Sequence, residues 1–188
     1  MKKEIKEEIE VPEGISGTFE DGTLKLKKDS QEVVRKVNRP DIEIKIKGNK
    51  LILEAKKGNR TQYKVIKTLL SHIKNTLYGL SNPFVYKLES ASVHFPLTLK
   101  VEGDYVIIDN FLGEKVPRKA KIVPGSEVKI NGQEITITSY DKEAAGQTAA
   151  NLEQATKVTN RDPRIFQDGV YITEKPKINY NEMEEELE

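Results

Sequence analysis

Apolar and polar residues alternate along much of this chain in short runs, interrupted by glycine-containing pairs. Ile44, Ile46, Leu51 and Leu53 recur at every second position on either side of Gly48-Asn49, the period of a half-buried strand broken by a two-residue turn. The spacing predicts a β-hairpin. The same layout returns 84 residues later over Val128 to Ile137, with Gly132 in the place of Gly48 and Ile135 in that of Leu51. A helix is predicted after each hairpin. The first starts near Asn59, carries Val65, Leu69, Ile73 and Leu77 at spacing four, and ends in the stretch from Gly79 to Pro83. The second starts after Asp141, a suitable N-cap, and carries a weaker stripe of Ala145, Ala149 and Leu152. Another strand pair precedes each hairpin. Thr18-Phe19 and Leu24 to Leu26 flank Asp21-Gly22, and Leu97 to Val101 and Tyr105 to Ile108 flank Gly103-Asp104.

Strands followed by a helix, rather than alternating with helices, favour an antiparallel sheet covered on one face. The expected fold class is α+β, with two tandem repeated domains, each a small mostly antiparallel sheet packed by one helix. The boundary falls near Ser81-Asn82-Pro83, giving a first domain over 1–82 and a second over 83–157. Residues 158–181 have no counterpart in the first half and are where an added function would most simply lie. Residues 182–188 form an acidic tail whose apolar residues are Met183 and Leu187, too few to order it, so disorder is expected there.

Composition narrows the picture. The 188 residues include no cysteine, which excludes disulfides, thiolate zinc sites and a cysteine nucleophile. No apolar run reaches the roughly 18 residues of a membrane helix. Met1-Lys2-Lys3 leads into glutamates rather than an apolar signal core, so a soluble, intracellular protein is expected. The net charge of +1 conceals an uneven distribution: residues 15–83 carry 15 basic and 7 acidic groups, residues 84–160 carry 9 and 10, and the tail carries five glutamates. Such an excess suits either a polyanion binder or a protein with solvated lysines.

Catalytic chemistry finds no support in the sequence. Gly14-Ile15-Ser16-Gly17 is one residue short of a nucleophile elbow, and no phosphate-loop or dinucleotide fingerprint is present. His72 and His94 lie in different halves, so a shared metal site is not expected. Asn59-Arg60-Thr61 matches a glycosylation acceptor, but it is better read as a helix start. No enzymatic activity, cofactor, metal or small-molecule substrate is expected.

Two stretches are more specific. Asn110-Phe111-Leu112-Gly113-Glu114-Lys115 leads into a basic loop with Arg118, Lys119 and Lys121, four cations within seven positions. The second stretch is Gln154, Val158, Arg161, Arg164 and Phe166, then Asp168-Gly169-Val170-Tyr171-Ile172 and Lys175. Together they resemble the large-subunit ribosomal protein six family in its archaeal and eukaryotic form. The opening Ile9 to Gly14 is similar to that family's N-terminal strand, and the likeness covers nearly the whole chain. The lysine- and glycine-rich C-terminal signature of the bacterial branch is not seen.

The resemblance implies a non-catalytic protein of two repeated domains in the cytoplasmic ribosome. It would bind large-subunit rRNA at the base of the stalk, beside neighbouring ribosomal proteins and close to translation factors, with no membrane partner. It also implies that the second domain and C-terminal segment make the main RNA contacts, which carries over to Lys115, Arg118, Lys119, Lys121, Arg161 and Arg164. The first domain holds the larger positive charge, but cations act on phosphates within about 8–10 Å, so a compact cluster outweighs a domain total. Lys56, Lys57, Arg60 and Lys175 are secondary RNA candidates, for which solvated surface is the simpler reading of the first three. For Arg161 and Arg164, phosphate contact is preferred to an exposed ion pair around Asp162. Phe166 and Tyr171 are read as packing rather than base-stacking, in a segment pinned down by Ile165, Phe166, Val170 and Ile172. Asp168-Gly169 is read as a turn closed by a local hydrogen bond. The alternative function is a protein–protein adaptor built from the duplicated domains, which RNA co-purification at moderate salt would tell apart.

Overall fold

The first half contains the two expected strand pairs among six strands: β1 (Lys3–Glu10), β2 (Ile15–Glu20), β3 (Thr23–Lys28), β4 (Gln31–Lys36), β5 (Glu43–Lys47) and β6 (Lys50–Gly58), followed by helix α1 (Arg60–Ser81). The computed structural model describes residues 3–178 apart from Glu13, Ser30, Asn38, Pro40 and Pro163. The acidic tail 182–188 and the side chains of Lys56 and Lys57 lie outside the described residues. Both expected turns form. Glu20 pairs with Thr23 across Asp21-Gly22, and Lys47 with Lys50 across Gly48-Asn49. Asp21 and Gly22 both take positive φ, 47° and 70°, a backbone that Asp-Gly supplies in tight hairpins.

The strands of this half form two three-stranded antiparallel sheets, β1-β6-β5 and β2-β3-β4, rather than a single sheet. Leu24 and Leu26 from one sheet, Leu51 and Leu53 from the other, and Ile66, Ile73 and Leu77 from α1 are all fully buried. The helix begins where expected, with the Asn59 side chain accepting from Thr61 N and Gln62 N while Gln62 Oε1 accepts from Asn59 N. This reciprocal arrangement satisfies N–H groups that have no intrahelical partner. The buried stripe is displaced from the expected one: Ile66, Ile73, Leu77 and Leu80 are buried, whereas Val65 and Leu69 are only partly covered. A strict four-residue spacing drifts around a helix of 3.6 residues per turn, so the core-facing row must switch to i+3 and i+7 partners.

The second half repeats the plan. Its elements are β7 (Phe84–Ala91), β8 (Thr98–Glu102), β9 (Tyr105–Asp109), a 3-10 turn at Phe111–Gly113, β10 (Arg118–Lys121), β11 (Ser126–Asn131), β12 (Glu134–Ser139), α2 (Lys142–Ala155) and β13 (Gly169–Glu174). The order β11-β12-β7 answers β5-β6-β1, and β10-β9-β8 answers β4-β3-β2. Asn131 pairs with Glu134 in the second hairpin as Lys47 does with Lys50 in the first, at the same 84-residue offset. The new feature is β13. It pairs antiparallel with β7 on the edge away from β12, which extends this sheet to four strands.

Contacts divide the chain between Asn82 and Pro83, into Met1–Asn82 and Pro83–Ile178. The core of the second unit joins Leu88, Ile135, Ile137 and Val170 of the four-stranded sheet to Val106, Ile108 and Ala120 of the other and to Ala145, Ala149 and Leu152 of α2. Small residues let this helix sit close to the sheet: a Cβ on Gly146 would stand 3.0 Å from the Tyr86 hydroxyl. Asp141 caps α2 as expected, accepting from Glu143 N at 3.0 Å.

Candidate nucleic-acid interface

The segment after Phe111 is not the continuous basic loop expected. Phe111 is buried at 1% exposure in the 3-10 turn, an exposed loop follows, and Arg118–Lys121 pairs with β9 as an edge strand. Strand alternation then sorts the cations. Arg118 and Ala120 turn toward the domain, while Lys119 and Lys121 are exposed, about 7 Å apart on one face. Lys115 is exposed in the loop. Among the described residues, Lys115, Lys119 and Lys121 have no ion-pair partner.

Arg118 has different work. Its guanidinium forks onto Glu114, with Nε at 2.8 Å from Oε2 and Nη2 at 2.6 Å from Oε1. Its Nη1 donates to the carbonyls of Ala155 at 2.8 Å and Lys157 at 3.3 Å, and its central carbon stands 4.3 Å from the centre of the Phe111 ring. Four acceptor contacts and a ring face leave little of it for phosphate. The side chain instead ties the 114–118 loop to the chain leaving α2. The Arg118 hydrogen bond, opposed by burial and assisted by the charges of Arg118 and Arg161, holds the Glu114 carboxyl below its ordinary range. Arg161 therefore acts on the same local field as the 114–121 stretch.

The second stretch is organised by Asp168, which is 2% exposed. The turn hydrogen bond expected of it is not local. Its Oδ1 accepts from Val93 N at 2.7 Å and His94 N at 2.9 Å, and its Oδ2 lies 2.6 Å from His94 Nδ1. Burial pushes this carboxyl up, but those three hydrogen bonds and the His94 charge more than offset it, so its pKa lies below the ordinary aspartate value. Gly169 opens β13 rather than turning the chain, and a Cβ there would press on the Thr156 carbonyl oxygen at 3.3 Å.

Upstream, Asp162 closes a turn by accepting from Arg164 N at 2.9 Å. Neither Arg161 nor Arg164 has an ion-pair partner among the described residues. Both are exposed, and the Arg161 guanidinium lies over Phe166 at 4.8 Å. Phe166 also meets His94, with ring centroids 4.9 Å apart, and is partly buried as expected. Val170 and Ile172 join the core, but Ile165 is 62% exposed and Tyr171 44% exposed, so the packing expected of these two is not found.

The remaining candidates are scattered. Arg60 is exposed at the first position of α1, Lys175 is exposed just beyond β13, and the backbone of Lys56 and Lys57 lies in β6. Sequence reasoning missed Glu114, His94 and Asp168 as organising residues. The four-residue spacing of Glu114 and Arg118 was a usable signal, although it is normally read within helices. Nothing local marks the Asp168 clamp.

Comparisons with known proteins bear on the family. The family model described as Ribosomal protein L6 matches residues 95–169, which takes in β10, α2 and Asp168. The large ribosomal subunit protein uL6 of Methanococcus vannielii is 46% identical over 171 residues, covering 91% of this chain and 94% of that protein. Its counterpart in Methanobrevibacter smithii is 43% identical over 171 residues, covering 91% and 96%. Identity at this level across nearly the full length of both relatives means that the chain belongs to the uL6 family of large ribosomal subunit proteins.

Proposed function

We propose that this protein is a structural, non-catalytic constituent of the large ribosomal subunit in the cytoplasmic ribosome. It binds large-subunit rRNA through the exposed cations of its second unit, next to other large-subunit proteins and close to where translation factors bind at the base of the stalk. The observation that carries the RNA surface is the Arg118 fork. It joins Glu114 to the Ala155 and Lys157 carbonyls, the latter four residues before Arg161, whose charge acts on Glu114. Lys115, Lys119, Lys121, Arg161 and Arg164 stay solvent-exposed. These five contact phosphates in this reading, and Arg118 holds the loop that carries Lys115 against the chain leaving α2. Lys56, Lys57, Arg60 and Lys175 are secondary contacts.

The test is binding of the full-length protein to protein-free large-subunit rRNA across a salt series. Specific association whose log affinity falls linearly with log salt is expected, together with co-sedimentation of the native protein with the large subunit. Absence of rRNA binding at low salt, or sedimentation apart from the subunit, would overturn the reading.

A further inference from the structure

A cleft of about 480 Å³ lies between the end of α2 and the start of β13, within the size range of small-ligand sites. Val158, Phe166, Val170 and Tyr171 supply its apolar walls, and Glu153, Gln154 and Lys157 its polar ones. Two observations decide what fits there.

The first is Tyr171. Although it stands on a strand paired into the sheet, 44% of it remains exposed, so part of an aromatic surface is left open beside an apolar cleft. The ring is also held in place. Its hydroxyl donates to the Gln167 carbonyl at 3.2 Å, and it sits so close to Gly169 that a Cβ there would meet its Cζ and Oη at 3.3 Å. A fixed aromatic surface loses little freedom when something stacks on it.

The second is charge. Glu153 and Lys157 both line the cleft and their charges cancel, so the lining carries no net charge to attract an anion. The exposed guanidinium of Arg161 lies over Phe166, one of the cleft walls, and offers phosphate a place outside. A flat, uncharged ring carried on a phosphate backbone matches this division. Unpaired RNA bases are commonly held in this way, stacked on an aromatic ring and read along their edges. Gln154 and Glu153 provide the donor and acceptors for such an edge.

We propose that the cleft takes one unpaired base of large-subunit rRNA, stacked on Tyr171, with its backbone passing over Lys157 and Arg161. This rests on the rRNA-binding reading above and adds to it a base-contacting site among phosphate contacts.

The test compares the full-length parent with Tyr171→Leu and Tyr171→Phe on protein-free large-subunit rRNA. Affinity is measured over a salt series, and base edges are probed chemically with and without protein. The leucine variant is expected to bind about 5- to 100-fold more weakly with the parent's salt slope, because stacking releases no counterions. The parent should protect an unpaired base that the leucine variant leaves reactive. The phenylalanine variant, which keeps the ring but loses its tether to Gln167, should protect it too and bind closer to the parent than to the leucine variant.

A folded leucine variant that binds as the parent does would overturn the base site. So would a phenylalanine variant as weak as the leucine one, since the hydroxyl and not the ring would then matter. Should the leucine variant fail to fold, the parent footprint decides: no protected unpaired base overturns the proposal. A parent that fails to bind rRNA at all overturns the underlying reading instead.

Discussion

Asp168 and His94, 74 residues apart in the chain, meet at 2.6 Å between Oδ2 and Nδ1, while the other carboxylate oxygen takes the backbone N–H groups of Val93 and His94. One buried side chain thus fixes the loop after β7 against the start of β13. That loop also places Phe95 against Gly113, where a Cβ would meet its ring at 3.4 Å. His94 in turn packs on Phe166, over which Arg161 lies. A residue with 2% exposure therefore arranges three segments that carry exposed cations or the surfaces beneath them.

Replacing Asp168 by Asn should cost about 1–3 kcal/mol at pH 7, the loss expected when hydrogen bonds to a charged acceptor are weakened. The folded-state pKa is depressed, so the carboxylate contributes its full stability above the unfolded aspartate value of about 3.9. That contribution is lost as pH falls through the folded-state value. Urea unfolding of both proteins between pH 7 and pH 2 checks the sign. The gap should close below about pH 4, and a constant gap down to pH 2 would contradict the assignment.

Arg118 should behave as a structural residue despite its charge. Lysine cannot reproduce the fork onto Glu114 together with the two carbonyl contacts, so Arg118→Lys is expected to lose about 1–3 kcal/mol of stability. The salt slope of rRNA binding should remain that of the parent. An unaltered melting temperature combined with a smaller slope would instead place Arg118 on phosphate.

The exposed lysines should show the opposite behaviour. If each of Lys115, Lys119 and Lys121 touches one phosphate, replacing all three by Ala should shrink the log–log salt slope by about 2–3 units. Thermal unfolding should barely change, since exposed substitutions away from structural contacts usually fall within about 0.5 kcal/mol. A folded triple variant with the parent slope would remove them from the interface.

The tail offers an independent check on the charge argument. Deleting residues 182–188 removes five carboxylates that repel RNA, so the association rate should hold level or rise, most clearly at low salt. Stopped-flow binding at two salt concentrations measures this. Loss of rRNA binding at both would make the tail a contact rather than a bystander.

Much of the fold is written in local pattern. Asp21-Gly22, Gly48-Asn49 and Gly132-Gln133 each allow a tight turn between alternating runs, and their spacing sets strand register in both halves. Asn59 and Asp141 mark helix starts because a short polar side chain satisfies N–H groups a few atoms away. The 84-residue repeat exposed the duplication, because equal patterns bury equal faces. Strands β4, β7, β10 and β13 escaped this reading. Arg118-Lys119-Ala120-Lys121 holds one apolar residue, and its conformation is imposed by pairing with β9.

The amino-acid sequence by itself therefore determined the hairpin strands, their turns, the helix starts, the duplication and the family, all of which depend on residues within a few positions of one another or on motifs read in order. Tertiary structure decided what the charged side chains do. The same segment contains Arg118, drawn inward by Glu114 and two distant carbonyls, and Lys119 and Lys121, left in water. It also decided that Asp168 serves a loop 74 residues away and that Tyr171 borders an open cleft. Charge and hydrogen bonding act through space over a few ångströms, and which groups come that close is settled only when the sheets and helices pack.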